Sequence, residues 1–176
     1  MIYRYKNYKP KINKSVFVAP SADIIGNVEI GSDSSIWFNV TVRGDVNYIR
    51  IGKETNIQDN SILHVTSNRA SLNIGNQVTV GHGVTLHGCI IEDLTLIGMG
   101  AIILDNATIS KNSIVAAGSL IPENSAFPPG VLVAGFPAKV KRELTEDEIK
   151  RNLEYANHYR DYKNTYLDEN QFRKLN

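Results

Sequence analysis

Aliphatic residues recur every six positions through most of this chain, and no other feature limits its fold so sharply. They stand at Val18, Ile24, Ile30, Ile36 and Val42, then at Ile51, Ile57 and Leu63, then at Ile74, Val80 and Leu86. A last run passes through Ile91, Ile97, Ile103, Ile109, Val115 and Ile121. Four places after each anchor the residue is usually small or β-branched, as at Ala22, Ser34, Val40, Thr55, Ser61, Val78 and Ala101. Glycine often follows the anchor directly, at Gly31, Gly52, Gly75, Gly81 and Gly98. A period of six does not fit an α-helix. Asn-Gly and Asp-Gly hairpin turns are absent between the runs. The pattern predicts a mostly β chain wound as a parallel β-helix of triangular cross-section, three hexapeptides to a coil. The anchor points inward, the small residue sits at the narrow corner, and glycine supplies the turn's backbone freedom.

The register is interrupted three times. Three extra residues lie between Val42 and Ile51 and five between Leu63 and Ile74, while the step from Leu86 to Ile91 is one short. Insertions in a solenoid are extruded at one edge, so the loop within Val65–Ser71 is expected to project beside a functional surface. After Ile121 the prolines and glycines of residues 122–144 read as an extended return segment rather than another coil. Thr145 and Glu148 then form a capping box. Ile149, Leu153, Ala156, Tyr159, Tyr162 and Tyr166 follow at spacings of three and four. That predicts a helix of roughly 20 residues packed along the β-helix by its tyrosines. Residues 1–140 are therefore read as the repeat region with its return segment, and 141–176 as the C-terminal helical segment of the same structural domain.

Nineteen basic residues against eighteen acidic ones leave a formal charge of +1, which argues for neither nucleic acid nor a membrane as partner. Residues 141–176 hold sixteen of these charges, eight of each sign, so a charge-poor body precedes a charged tail. No stretch approaches the roughly 20 apolar residues of a membrane span, and the first residues lack the apolar core of a signal peptide. A cytoplasmic protein is expected. The one cysteine, Cys89, excludes an intrachain disulfide and reads as a small buried filler.

Three of the four histidines, His64, His82 and His87, fall within 24 residues. Val42, Leu63 and Leu86 are each three hexapeptides apart, so they share one face in consecutive coils. The residues after them, Arg43, His64 and His87, should form a column at about one strand spacing, ~4.8 Å. That is a distance at which two imidazoles can share a metal. The same count puts Asp59 and His82 at the next corner, so His82 points elsewhere on its own chain. A metal joining all three needs His82 from a neighbour, and a closed threefold ring supplies it three times over; this predicts a homotrimer. Three neutral imidazoles suit zinc and leave a position for water. Arg43, Asp45, Gln58 and Asp59 are the polar groups expected beside that point, while His158 in the charged helix is expected to be solvated.

The hexapeptide repeats, Arg43-Gly-Asp45, Gln58-Asp59, the His64…His82…His87 triad and Ala134-Gly-x-Pro-Ala-Lys139 together resemble the gamma-class carbonic anhydrases and their bacterial paralogues. The likeness covers nearly the whole chain. It implies a left-handed β-helix with a C-terminal α-helix alongside, and a trimer with metal between subunits. By that resemblance His64 and His87 of one chain and His82 of the next hold zinc (Zn2+), or Fe2+ or Co2+. Metal-bound hydroxide then attacks carbon dioxide to give bicarbonate. Gln58 orients the hydroxide, Arg43 pairs with Asp59 across the subunit boundary, and Asp45 joins their network. Tyr159 corresponds to a helix tyrosine facing the site. One departure stands out: Val46 follows Asp45, and the loop Val65–Ser71 has no carboxylate. Acidic proton carriers at those places are missing, which predicts weak activity. Two other functions fit the repeats: an acyltransferase or coenzyme A thioester hydrolase, and a non-catalytic trimer held by its metal.

Overall fold

The computed structural model describes residues 1–174; residues 175 and 176, the end of the expected C-terminal segment, lie outside the described residues. The chain forms a parallel β-solenoid of about seven turns with one C-terminal helix. Every anchor from Val18 to Ile121 is the inward residue of a strand, and all but the partly exposed Val18 are buried. One face stacks Phe17–Val18, Ser35–Ile36, Asn56–Ile57, Thr79–Val80, Leu96–Ile97 and Ile114–Val115 in parallel register. The next carries Ile62–His64, Thr85–His87, Ile102–Ile103 and Leu120–Ile121. Long strands at Asp23–Ile30 and Thr41–Ile51 bend from this face into the third. The aliphatic column inside each face is the core. The Ser and Thr residues four places past the anchors are buried at the corners, where their hydroxyls bond the next coil, as Ser34 Oγ to Gly52 O at 2.7 Å and Thr55 Oγ1 to Gly75 O at 2.8 Å.

Two expectations are corrected. The repeat does not stop at Ile121: Phe127 pairs with Ile109 and Val133 with Val115, and at the other end Ile12 pairs with Ile30. Pro128 and Pro129 fall between the strands, where a missing N–H costs no ladder bond. The true return is the antiparallel pairing of Val131–Gly135 with Ala138–Glu143. The glycines after the anchors also do a different job. None of them has a positive φ; a Cβ on Gly31 would stand 2.7 Å from Gly52 C, and one on Gly81 2.8 Å from Met99 N. They let coils approach. The left-handed corners fall instead three places past the anchors, mainly on Asn and Asp such as Asp33, Asn39, Asn60 and Asn112.

The helix, Glu146–Leu167, opens with the Thr145–Glu148 capping box expected from the sequence. It runs back along one corner of the prism. Asn152 Nδ2 donates to Leu94 O at 3.2 Å and Ser113 O at 3.3 Å, Arg160 pairs with Glu54 at 3.6 Å, and Lys163 with Asp33 at 3.4 Å. Leu94, Glu54 and Asp33 are equivalent left-handed corner residues. The eleven-residue helical step from Asn152 to Lys163 spans about 16 Å. The three coils it crosses span about 14 Å, so helix pitch and coil spacing agree closely enough for one contact after another. Tyr159 and Tyr166 pack against Trp37 at ring-centroid distances of 5.5 and 4.9 Å. No helix among the described residues is long and apolar enough to cross a membrane.

Candidate metal centre

Register places His64 directly beside His87, because Leu63 and Leu86 pair as inward neighbours on one face. His64 Nδ1 and His87 Nε2 face each other at 3.1 Å. The far nitrogen of each ring meets a carboxylate: His64 Nε2 lies 3.1 Å from Asp45 Oδ1, and His87 Nδ1 2.6 Å from Asp105 Oδ1. Burial works to raise the pKa of Asp45, but hydrogen bonds from Arg43 and His64 outweigh it and hold the carboxyl below its ordinary value. Burial is likewise outweighed at Asp105 by hydrogen bonds from Thr66 and His87. At His64, burial together with the Arg43 and His87 charges outweighs Asp45 and lowers the imidazole below its ordinary value.

An ionised Asp45 needs the His64 proton on Nε2, and an ionised Asp105 needs the His87 proton on Nδ1. With those tautomers and no further proton, two lone pairs would face each other. Facing lone pairs repel, and a proton or a cation between them removes the repulsion. Two nitrogens bound to one tetrahedral zinc at about 2.05 Å stand about 3.3 Å apart, close to the distance observed here. A carboxylate behind each imidazole is also the arrangement that orients histidine ligands in metal sites. The donor set fits a metal.

His82 has the same backing: its Nδ1 lies 3.0 Å from Asp59 Oδ2. It lies elsewhere on the chain, in a cavity of about 320 Å³ shared with Gln58, Tyr155 and Tyr159. Gln58 is buried, and its Nε2 donates to Asn56 Oδ1 at 3.1 Å. Burial, then the Asp59 charge, raises the Tyr159 pKa. Arg43 Nη1 donates to Asp45 Oδ2 at 2.6 Å. One chain thus assembles Arg43, Asp45, His64 and His87 in one place and Gln58, Asp59, His82 and Tyr159 in another. No hydrogen bond or ion pair joins the two groups, and no three His, Cys, Asp or Glu side chains converge as a metal site among the described residues. His158 is exposed and stacks on Tyr162.

Sequence reasoning missed Asp105 and Thr66. Thr66 Oγ1 donates to Asp105 Oδ2 at 2.6 Å, and Asp105 is buried. The available signal was a lone acid two places beyond the anchor Ile103, on the coil next to His87. The insert within Val65–Ser71 also does not project freely. It closes on itself through Thr66 and Ala70, and Arg69 reaches Glu123 at 2.5 Å.

The fold and this donor set define a hexapeptide-repeat β-solenoid built to hold paired imidazoles. Among protein-family models, none matches the chain. A carbonic anhydrase of Geobacillus kaustophilus is 56% identical over 150 residues, which cover 85% of this chain and 82% of that protein. The mitochondrial gamma carbonic anhydrase 1 of Arabidopsis thaliana is 45% identical over 166 residues, or 92% of this chain, but the match spans only 60% of the plant protein's length. The solved structure of a Bacillus cereus protein, provisionally described as an acetyltransferase, is 45% identical with a TM-score of 0.92, covering 94% of this chain and 96% of that one. The chain belongs to the gamma carbonic anhydrase family.

Proposed function

We propose that the protein is a gamma-type carbonic anhydrase, interconverting carbon dioxide and bicarbonate as a cytoplasmic homotrimer. The observation that carries this reading is the pair of ring nitrogens at 3.1 Å, each with its far side held by a carboxylate. His64 and His87 of one chain with His82 of the next would hold the metal, zinc by preference for three neutral imidazoles, with Fe2+ or Co2+ as alternatives. When bound, the metal would supply a hydroxide nucleophile near neutral pH.

The chain's own residues do the remaining work. Asp45, Asp59 and Asp105 would fix the orientation and tautomer of the three rings. Arg43 holds Asp45 in place. In the trimer we expect it to reach Asp59 of the neighbouring subunit as well, as in the family pattern. Asn56 fixes the Gln58 amide by accepting from Nε2, which leaves Oε1 to accept the nucleophile's proton and orient it. Tyr159 shares the His82 cavity and would face the reacting molecules from the helix. Val46 and the carboxylate-free loop Val65–Ser71 give protons no acidic exit there, so turnover should be slow.

The test is carbon dioxide hydration by the purified, metal-loaded protein. Hydration faster than that of the His87→Ala variant supports the reading, and equal rates contradict it. Acyl transfer from coenzyme A, or hydrolysis of its thioesters, is the second reading. The Bacillus cereus description favours it, but it leaves the carboxylate-backed imidazole pair without a task. Acetyl transfer that survives chelation would establish it. A trimer that binds metal and turns over neither substrate would point to a structural role.

A further inference from the structure

The insert after His64 has a consequence for the metal that neither the repeat nor the histidines announce. Thr66, within it, donates to Asp105 Oδ2 at 2.6 Å, while Asp105 Oδ1 meets His87 Nδ1 at 2.6 Å. The insert is itself tied down: Asn47 Nδ2 donates to Thr66 O at 3.1 Å, and Arg69 pairs with Glu123 at 2.5 Å. It therefore crosses from the His64 coil over the His87 coil, tied to the preceding coil through Asn47 and to coils beyond through Asp105 and Glu123. Gly88 makes room for this crossing. A Cβ there would lie 2.5 Å from Asp105 Oδ1 and 2.6 Å from Ala70 Cβ, so the missing side chain is what lets carboxylate and insert meet behind His87.

We propose that Asp105 and Thr66 are positioning residues for metal binding: Asp105 fixes His87 with Nε2 presented to the metal, and the insert serves to hold Asp105. This rests on the metal reading of His64, His82 and His87. An imidazole free to rotate or to change tautomer presents the wrong nitrogen part of the time, so the loss appears as metal affinity. A threonine hydroxyl donating to the second carboxylate oxygen stops the carboxylate from turning, at the scale of one hydrogen bond to a charged group.

The experiment is cobalt(II) titration of the purified full chain, followed by affinity and by the visible absorption spectrum of the bound ion. Asp105→Asn keeps the shape and removes the charge; it should weaken cobalt about 10- to 100-fold and alter the spectrum. Thr66→Val should weaken cobalt by roughly tenfold, and Thr66→Ser should restore it. Thr95→Val removes another buried hydroxyl, one that bonds Asp93 O and Ser110 O, and controls for general loosening of a coil. It should leave cobalt affinity unchanged. Cobalt affinity within twofold of wild type for Asp105→Asn, or an equal loss in Thr95→Val, would overturn the assignment. The metal reading itself fails separately, if wild type and His87→Ala take up cobalt alike.

Discussion

His64 Nδ1 and His87 Nε2 lie 3.1 Å apart although their residues are 23 positions apart in the chain. Coil stacking brings the rings together and two carboxylates decide which nitrogens meet. Removing a shared metal should restore the repulsion between the facing lone pairs and loosen the subunit boundary. Chelation is expected to lower the thermal midpoint, and zinc at a hundredfold excess over its Kd to return about 2.7 kcal/mol. A midpoint indifferent to chelator and zinc would contradict this.

Leu86 sets both the core and the site, since it points inward with no exposed surface and precedes His87. Leu86→Ala should cost about 2–5 kcal/mol in urea unfolding, because stacked coils on either side hold the cavity open. It should also weaken metal binding. A loss below about 1 kcal/mol would mean that the coils collapse freely around the change.

The helix cap titrates in acid. Arg142 donates to both Glu148 oxygens at 2.7 and 2.8 Å, and with the Thr145 N–H it lowers the Glu148 pKa from 4.5 to about 2. A carboxyl depressed in the folded state stabilises fully above its unfolded value and loses that contribution as pH falls through its folded value. The cap should therefore weaken between pH 4.5 and about 2. Carboxyl NMR should find Glu148 titrating near the lower value, and Arg142→Ala should move it up. Ordinary titration in the wild type would refute the cap pairing.

Cys89 is fully buried, and burial pushes its thiol far above the ordinary range. A thiol reagent should leave the native protein untouched and label Cys89 once denaturant opens the coils. Rapid labelling under native conditions would contradict this placement.

The solenoid was legible because each inward position admits only an aliphatic side chain, so Val42, Leu63 and Leu86 reported their own register. That register sets His64 beside His87. The last coil was hidden because Phe127 and Pro128-Pro129 replace the aliphatic and polar residues of earlier repeats. The glycines after the anchors serve close approach rather than the expected turn, and both requirements favour the same residue. Asp105 escaped for a different reason. Its partner Thr66 sits in an insert outside the period, 39 positions away, and only the fold brings them together.

In the proposed trimer one chain supplies His64 and His87 while its neighbour supplies His82. Subunit mixing tests it directly. His82→Ala and the double variant His64→Ala/His87→Ala should each fail to hold zinc alone. Unfolded together and refolded, they should form mixed trimers that each regain one site, with zinc bound at one ion per mixed trimer. Zinc retained by His82→Ala alone, or none recovered on mixing, would contradict a site shared between chains.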